Sequence, residues 1–340
     1  MEMHTIKEPI VYVGSFDNNV YALNANTGDL KWKFKTNGIV DSSPFVKNGI
    51  VYIGSNDGGI YALDANTGDL KWKYNTNGIV GSSPIIGNGI VYVGSFDFRV
   101  YALNANTGKT KWEYVTTFWV VSSPAVAYSI VYIGSNDGSI YAFNAYTGDL
   151  KWKYWVGFWV ISSPAVAYST VYIGSDDSFV YALDAITGEL KWKYKTNDIV
   201  SSSPFIENGI VYVGSNDNHV YAIDANTGNL KWKYKTNNQI VSSPTVVNGI
   251  LYIGSNDNHV YAIDAITGEL KWKYKTNYYV PSSPAVFNGI VYIGSNDNHV
   301  YALDAITGEL KWKYKTENMI YSSPAVYDGE KYVGFRRFKV

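Results

Sequence analysis

The segment Val11-Tyr12-Val13-Gly14-Ser15 returns, with Val, Ile and Leu exchanged, at 51, 91, 131, 171, 211, 251 and 291, a spacing of 40 residues without one insertion. A shortened ninth copy opens at Lys331-Tyr332-Val333-Gly334-Phe335. A fixed period of this length confines the chain to propellers, solenoids or helical arrays, in which each unit completes its core against its neighbours. The pattern inside each unit excludes helices. Val51-Tyr52-Ile53 and Ile60-Tyr61-Ala62-Leu63 are short β-rich runs, and Leu70-Lys71-Trp72-Lys73-Tyr74 alternates with period two. Between them stand Asn56-Asp57-Gly58, Asn66-Thr67-Gly68 and Asn88-Gly89, whose residue types favour turns.

One unit therefore reads as four strands: A (Ser82 to Ile86), B (Val51 to Ser55), C (Gly59 to Asp64) and D (Leu70 to Thr76). Four antiparallel strands per ~40 residues make one propeller blade. The expected fold is all-β, an eight-bladed β-propeller, with residues 1–340 as a single domain. Proline lacks an N–H and belongs on sheet edges. Pro44, Pro84, Pro124, Pro164, Pro204, Pro244, Pro284 and Pro324 all fall in strand A, each after a Ser-Ser pair small enough for the crowded axis. Strand D carries Lys-Trp-Lys-Tyr-Lys in most units, and edge lysines discourage edge-to-edge association. Strand A is thus innermost and D outermost, with the D–A and B–C turns on one face and the A–B and C–D turns on the other. The chain begins at a B strand, so the economical closure sets the last A strand, near 322–326, beside the N-terminal strands. Residues 331–340, with Arg336, Arg337 and Lys339, are then a surplus strand.

Every unit also carries Ala-x-[Asp/Asn]-x-x-Thr-Gly-x-x-x-Trp, as in Ala22-Leu23-Asn24-Ala25-Asn26-Thr27-Gly28-Asp29-Leu30-Lys31-Trp32. This resembles the tryptophan-docking motif of the PQQ-enzyme-repeat propellers, the quinoprotein family, over nearly the whole chain. The family includes quinoprotein alcohol dehydrogenases and non-enzymatic members such as the propeller lipoprotein of the outer-membrane assembly machinery. The resemblance implies that Trp32, Trp72, Trp112, Trp152, Trp192, Trp232, Trp272 and Trp312 dock between neighbouring blades as structural staples. Many members of this family are exported, but the opening residues Met1 to Pro9 have neither the basic nor the apolar region of a signal peptide, and the compartment stays open.

The same resemblance sets a test for catalysis. The family's dehydrogenases hold their quinone between a tryptophan and a vicinal disulfide, with a metal ion and an Asp base. This chain has no cysteine and no inserted loop. Its one recurrent carboxylate, Asp17 and its equivalents to Asp297, occupies the same place in all eight units and reads as a cap of the B–C turn. His219, His259 and His299 sit on successive turns, spaced by roughly 9 Å on a ring of ~12 Å radius, too far apart to share one zinc. No enzyme, cofactor or metal is expected. A net charge of -1, from 28 basic and 29 acidic residues, gives no basis for binding nucleic acid, and no apolar run is long enough to span a membrane.

Function is therefore sought where the symmetry breaks. Most units enter strand A through Thr-Asn, as in Lys35-Thr36-Asn37-Gly38-Ile39-Val40, whereas two consecutive units read Val115-Thr116-Thr117-Phe118-Trp119-Val120 and Trp155-Val156-Gly157-Phe158-Trp159-Val160. A third has Tyr278-Tyr279. The B–C turns of that face add Phe16, Phe96, Phe98, Arg99 and Phe179. Turn positions have no core to fill, so Phe118, Trp119, Phe158, Trp159, Tyr278, Tyr279, Phe98, Arg99 and Phe179 are the candidate recognition residues for a protein, a peptide or a small aromatic or apolar ligand. On the opposite face the same two units carry Tyr128-Ser129 and Tyr168-Ser169 where others have Asn-Gly. The expected function is a non-catalytic binding scaffold. The alternatives are rings that merely fill the central channel, an engineered or structural repeat scaffold that self-associates through the patch, and a PQQ-dependent dehydrogenase-like enzyme.

Overall fold

The computed structural model describes residues 8–334, and every regular element among them is a β-strand. Eight antiparallel sheets form the blades of a ring. Blade 2 is typical: its inner strand A is Phe45–Lys47, followed outward by B (Ile50–Gly54), C (Gly59–Asp64) and D (Leu70–Asn75). Strands B and C are buried on both faces because each blade is sandwiched between two others, which explains their near-continuous apolar runs. In most blades strand D alternates exposed lysines with buried or half-buried rings, as an outer edge should.

Strand A is shorter than the sequence suggests. It covers three residues, and each Ser-Ser-Pro precedes the ladder instead of joining it. The serines bond across blades instead. The Ser43 N–H donates to Ser83 Oγ at 2.9 Å, Ser83 to Ser123 at 2.8 Å, and so on through Ser163, Ser203, Ser243, Ser283 and Ser323 back to Ser43. The other serine of each pair, such as Ser42, accepts the N–H of Gly54 at 3.1 Å within its own blade. A proline following such a pair leaves no N–H unsatisfied at the axis.

A second ring lies further out. The Trp32 Nε1–H and the Tyr12 hydroxyl of blade 1 both donate to the Ala65 carbonyl of blade 2, at 3.0 and 2.9 Å. The pattern repeats in every blade and ends with Trp312 and Tyr292 donating to Ala25. The Thr-Gly turn explains why glycine is required beneath the indole. Gly68 has φ +79°, and a Cβ there would stand 2.8 Å from the Trp32 ring. Each interblade cluster joins two blades, as Tyr12, Val20, Trp32 and Val40 meet Val51, Ile53, Tyr61 and Leu63.

The inner strand Ala325–Tyr327 pairs with Ile10–Gly14, so that blade 1 is built from both ends of the described chain. Tyr332–Val333 then pairs with the free side of Ala325–Tyr327 as a fifth strand on the axial side. There the Tyr332 ring packs on Phe45 at 4.6 Å and its hydroxyl lies 3.3 Å from the Pro44 carbonyl. Arg336, Arg337 and Lys339 lie outside the described residues.

Candidate functional site

The face bearing the D–A and B–C turns is held by a repeated clamp. Thr36 Oγ1 donates to the carbonyls of Asn18 and Gly38 at 2.9 and 2.6 Å, fixing the connection at its start. The next blade grips it too: Asn56 N–H donates to the Ile39 carbonyl at 2.8 Å, and Asn37 N–H to Asp57 Oδ2 at 3.1 Å. The backbone around residues 38 and 39 is thereby rigid, while their side chains are left to vary. In the connection from blade 3 to blade 4 those positions are Phe118 and Trp119, and the clamp persists through Thr116, Asp137 and the Asn136 N–H.

Four rings gather on this frame. Phe96 stacks on Trp119 at 5.3 Å, Trp119 meets Phe118 at 4.8 Å, and Phe118 stacks on Phe98 at 5.8 Å and 10°. Phe98 is held in the left-handed region at φ 69°, where four other blades place asparagine. Phe158 and Trp159, on the connection from blade 4 to blade 5, stand outside this stack and are 62% and 48% exposed. Their connection is less clamped, because Val156 replaces the threonine and Gly157, at φ 94°, replaces the asparagine. Tyr278 and Tyr279 pack on each other at 4.4 Å, on the connection from blade 7 to blade 8.

Arg99 and Phe179 open strand C of their blades instead of lying in the turn. Arg99 Nε stands 3.7 Å from Glu113 Oε1 across the ladder. Phe179 is half-buried beneath the Lys193 ammonium, 4.5 Å from the ring centroid.

Two residues of this sector were not among the candidate recognition residues. Trp155 is 70% exposed and folds its indole toward Gly138 and Gly157, at the foot of Phe158. Its signal was the loss of a lysine at the last residue of strand D. Asp176 stands where five blades have asparagine, with its N–H on the Trp159 carbonyl at 3.0 Å. Its Oδ1 is buried without a hydrogen-bond partner among the described residues. Burial, with the neighbouring Asp177 charge, pushes its carboxyl up to about 6.

The recurrent aspartates are structural in their contacts. Asp57 Oδ1 accepts the Gly59 N–H at 2.8 Å, and Oδ2 accepts the Tyr61 hydroxyl. Burial would raise the Asp57 carboxyl, but the bonds from Tyr61, Gly59 and Asn37 outweigh it and hold it below its ordinary value. The tyrosine hydroxyls are pushed above theirs by burial and by this carboxylate. His219, His259 and His299 each place Nδ1 2.9 Å from the carbonyl of the aspartate two residues earlier. Among the described residues no three His, Cys, Asp or Glu side chains gather as a metal site, and no helix is long and apolar enough to cross a membrane.

On the opposite face, Tyr128, Ser129, Tyr168 and Ser169 all have φ between 51° and 56°. Both central residues of these two-residue hairpin turns are left-handed, a geometry that Asn-Gly serves in the other complete A–B turns. The Tyr128 hydroxyl accepts the Ser169 N–H at 3.3 Å, linking the two altered turns.

Residues 2–118 match the family described as outer membrane protein assembly factor BamB, and residues 130–337 match the family described as beta-alanine-activating enzyme, beta-propeller. No curated protein sequence matches significantly. Among solved structures, BamB from Moraxella catarrhalis is similar at TM-score 0.71 and 20% identity, covering 87% of this chain and 91% of that one. The computationally designed Ika8 protein is similar at TM-score 0.76 and 19% identity, covering 86% and 95%. The quinohemoprotein alcohol dehydrogenase from Comamonas testosteroni is similar at TM-score 0.71 and 15% identity, covering 88% and 75%. At such identities these structures share the fold, while function resides in the site. With more than half of its length in one family match, the chain belongs to the family of the beta-alanine-activating enzyme β-propeller, among the PQQ-repeat propellers.

Proposed function

We propose that the protein is a non-catalytic binding propeller that takes a protein or peptide partner on the aromatic sector of blades 3 to 5. The observation that carries this reading is the continuous stack Phe96–Trp119–Phe118–Phe98, built on turns and flanked by exposed Trp155, Phe158 and Trp159. Rings on a pre-clamped backbone lose little conformational freedom on binding, which favours them as anchors. The family match to an assembly factor supports a binding role.

The test is a variant carrying Phe118→Gly, Trp119→Ile, Phe158→Gly and Trp159→Ile, residues that blades elsewhere use at these positions. A displayed library of random peptides is selected on the native protein, and the winners are titrated against both proteins. Peptides lost by the variant at unchanged melting temperature support the reading. Selection of no peptide, or equal binding by both, overturns it, and a large fall in melting temperature assigns the rings to packing.

A second reading, that of a structural or engineered repeat scaffold, is favoured by the near-identity of the units and the likeness to a computationally designed propeller. A quinone enzyme is disfavoured by the chemistry of the donor set: the vicinal disulfide that the family's dehydrogenases use has no cysteine to form it. Incubation with PQQ and calcium followed by desalting tests this directly, since retained quinone absorbance would reinstate the enzyme.

A further inference from the structure

The outer edges of the eight blades are not equivalent. At the fourth residue of strand D seven blades have lysine, namely Lys33, Lys73, Lys153, Lys193, Lys233, Lys273 and Lys313, and blade 3 has Glu113. At the sixth residue blade 3 has Val115, which is 57% exposed, where five blades have lysine. Strand D of blade 3 (Thr110–Val115) is hydrogen-bonded on one side only, to Arg99–Asn104. Its other side presents backbone donors and acceptors able to pair with a further strand.

The charge on this edge is also differently committed. In blades 2, 5, 6, 7 and 8 the lysine at the second residue of strand D pairs with an aspartate of strand C, as Lys71 with Asp64 at 2.9 Å and Lys231 with Asp224 at 2.9 Å. Blade 3 has Asn104 there, and Lys111 makes no ion pair among the described residues. Among the described residues, this strand thus carries an unpaired cation and, two residues on, a carboxylate whose one ion pair is a long one to Arg99.

We propose that strand Thr110–Val115 is a self-complementary edge that pairs antiparallel with the same strand of a second copy of this chain. Centred on Trp112, the pairing sets Lys111 of each copy opposite Glu113 of the other and Thr110 opposite Tyr114. Two cross-strand ion pairs form where any other pair of like edges would set lysine against lysine. The two blades become one continuous eight-stranded sheet across a twofold axis. A six-residue edge buries less than the ~800 Å² per partner of a standard interface, so the dimer is concentration-dependent. The proposal does not rest on the role proposed for the aromatic sector, although this strand leads into Phe118 and its Glu113 pairs with Arg99.

Sedimentation velocity from roughly 1 to 200 µM protein tests the pairing. The native chain is expected to shift from monomer toward dimer across this range, and to shift less in high salt. Glu113→Lys installs the residue of the seven sibling blades, and Lys111→Glu reverses the other charge. Each alone is expected to weaken the dimer about tenfold or more, at unchanged melting temperature. An equimolar mixture of the two variants restores ion pairs at both contacts and is expected to form a mixed dimer with affinity near native. A native chain that stays monomeric throughout overturns the proposal. So does a dimer that the single variants leave intact, or a mixture that remains monomeric.

Discussion

Single residues in this molecule are best understood against their seven equivalents, because the repeat supplies its own control. Asp176 is the clearest case. Five blades place asparagine there, and the half-buried carboxylate leaves its buried Oδ1 unpartnered among the described residues. Its pKa is raised to about 6, so the folded state binds this proton more tightly than the unfolded chain does. The resulting cost is absent below about pH 4, grows as pH rises toward 6, and is complete above it. Asp176→Asn is therefore expected to stabilise the protein by about 1–3 kcal/mol at pH 7.5 and to have little effect at pH 3, read by denaturant titration at both values. Gly68 argues the reverse case, where the repeat tolerates no exchange. Gly68→Ala forces a Cβ into the Trp32 ring at φ +79° and is expected to cost about 2–4 kcal/mol, measured the same way.

At the scale of elements, turns carry both the regularity and its exceptions. Most A–B turns use Asn-Gly, the pair best suited to two left-handed residues, and two consecutive blades use Tyr-Ser in the same geometry. A side chain with a Cβ is disfavoured there by roughly 1 kcal/mol per residue. Tyr128→Asn with Ser129→Gly is expected to raise stability by about 1–2 kcal/mol, detectable as a higher melting temperature, while removing an exposed ring. Strand assignments within a unit were legible because the period-two runs and the Asn-Gly, Asp-Gly and Thr-Gly turns agree with one another. The extent of strand A was not, since Ser-Ser-Pro bonds to a neighbouring blade and sequence adjacency carries no sign of that partner. The aromatic sector was half legible: Phe118 and Trp119 were found as departures from the repeat. Their stacking on Phe96 and Phe98 depends on the blade bringing its B–C turn against the D–A connection.

For the whole molecule, closure is the decisive contact. Ala325–Tyr327 pairs with Ile10–Gly14, and the serine and tryptophan rings close only because blade 8 meets blade 1. The intact chain is expected to melt in a single cooperative transition, and a chain ending at Lys315 to lose that cooperativity and melt at least about 10 °C lower, because blade 1 loses its inner strand and the serine ring its last link. Sequence by itself determined the number of blades, the four strands of each and the order of those strands, because a fixed 40-residue period leaves each unit the same local choices. Only tertiary structure decided which carbonyls the tryptophans and serines reach, that Tyr332–Val333 lies on the axial side of the last inner strand, and which symmetry-breaking rings touch. The tryptophan and serine contacts join residues tens to hundreds of positions apart. The repeat makes every such position look alike, and the ring assigns each one its neighbour.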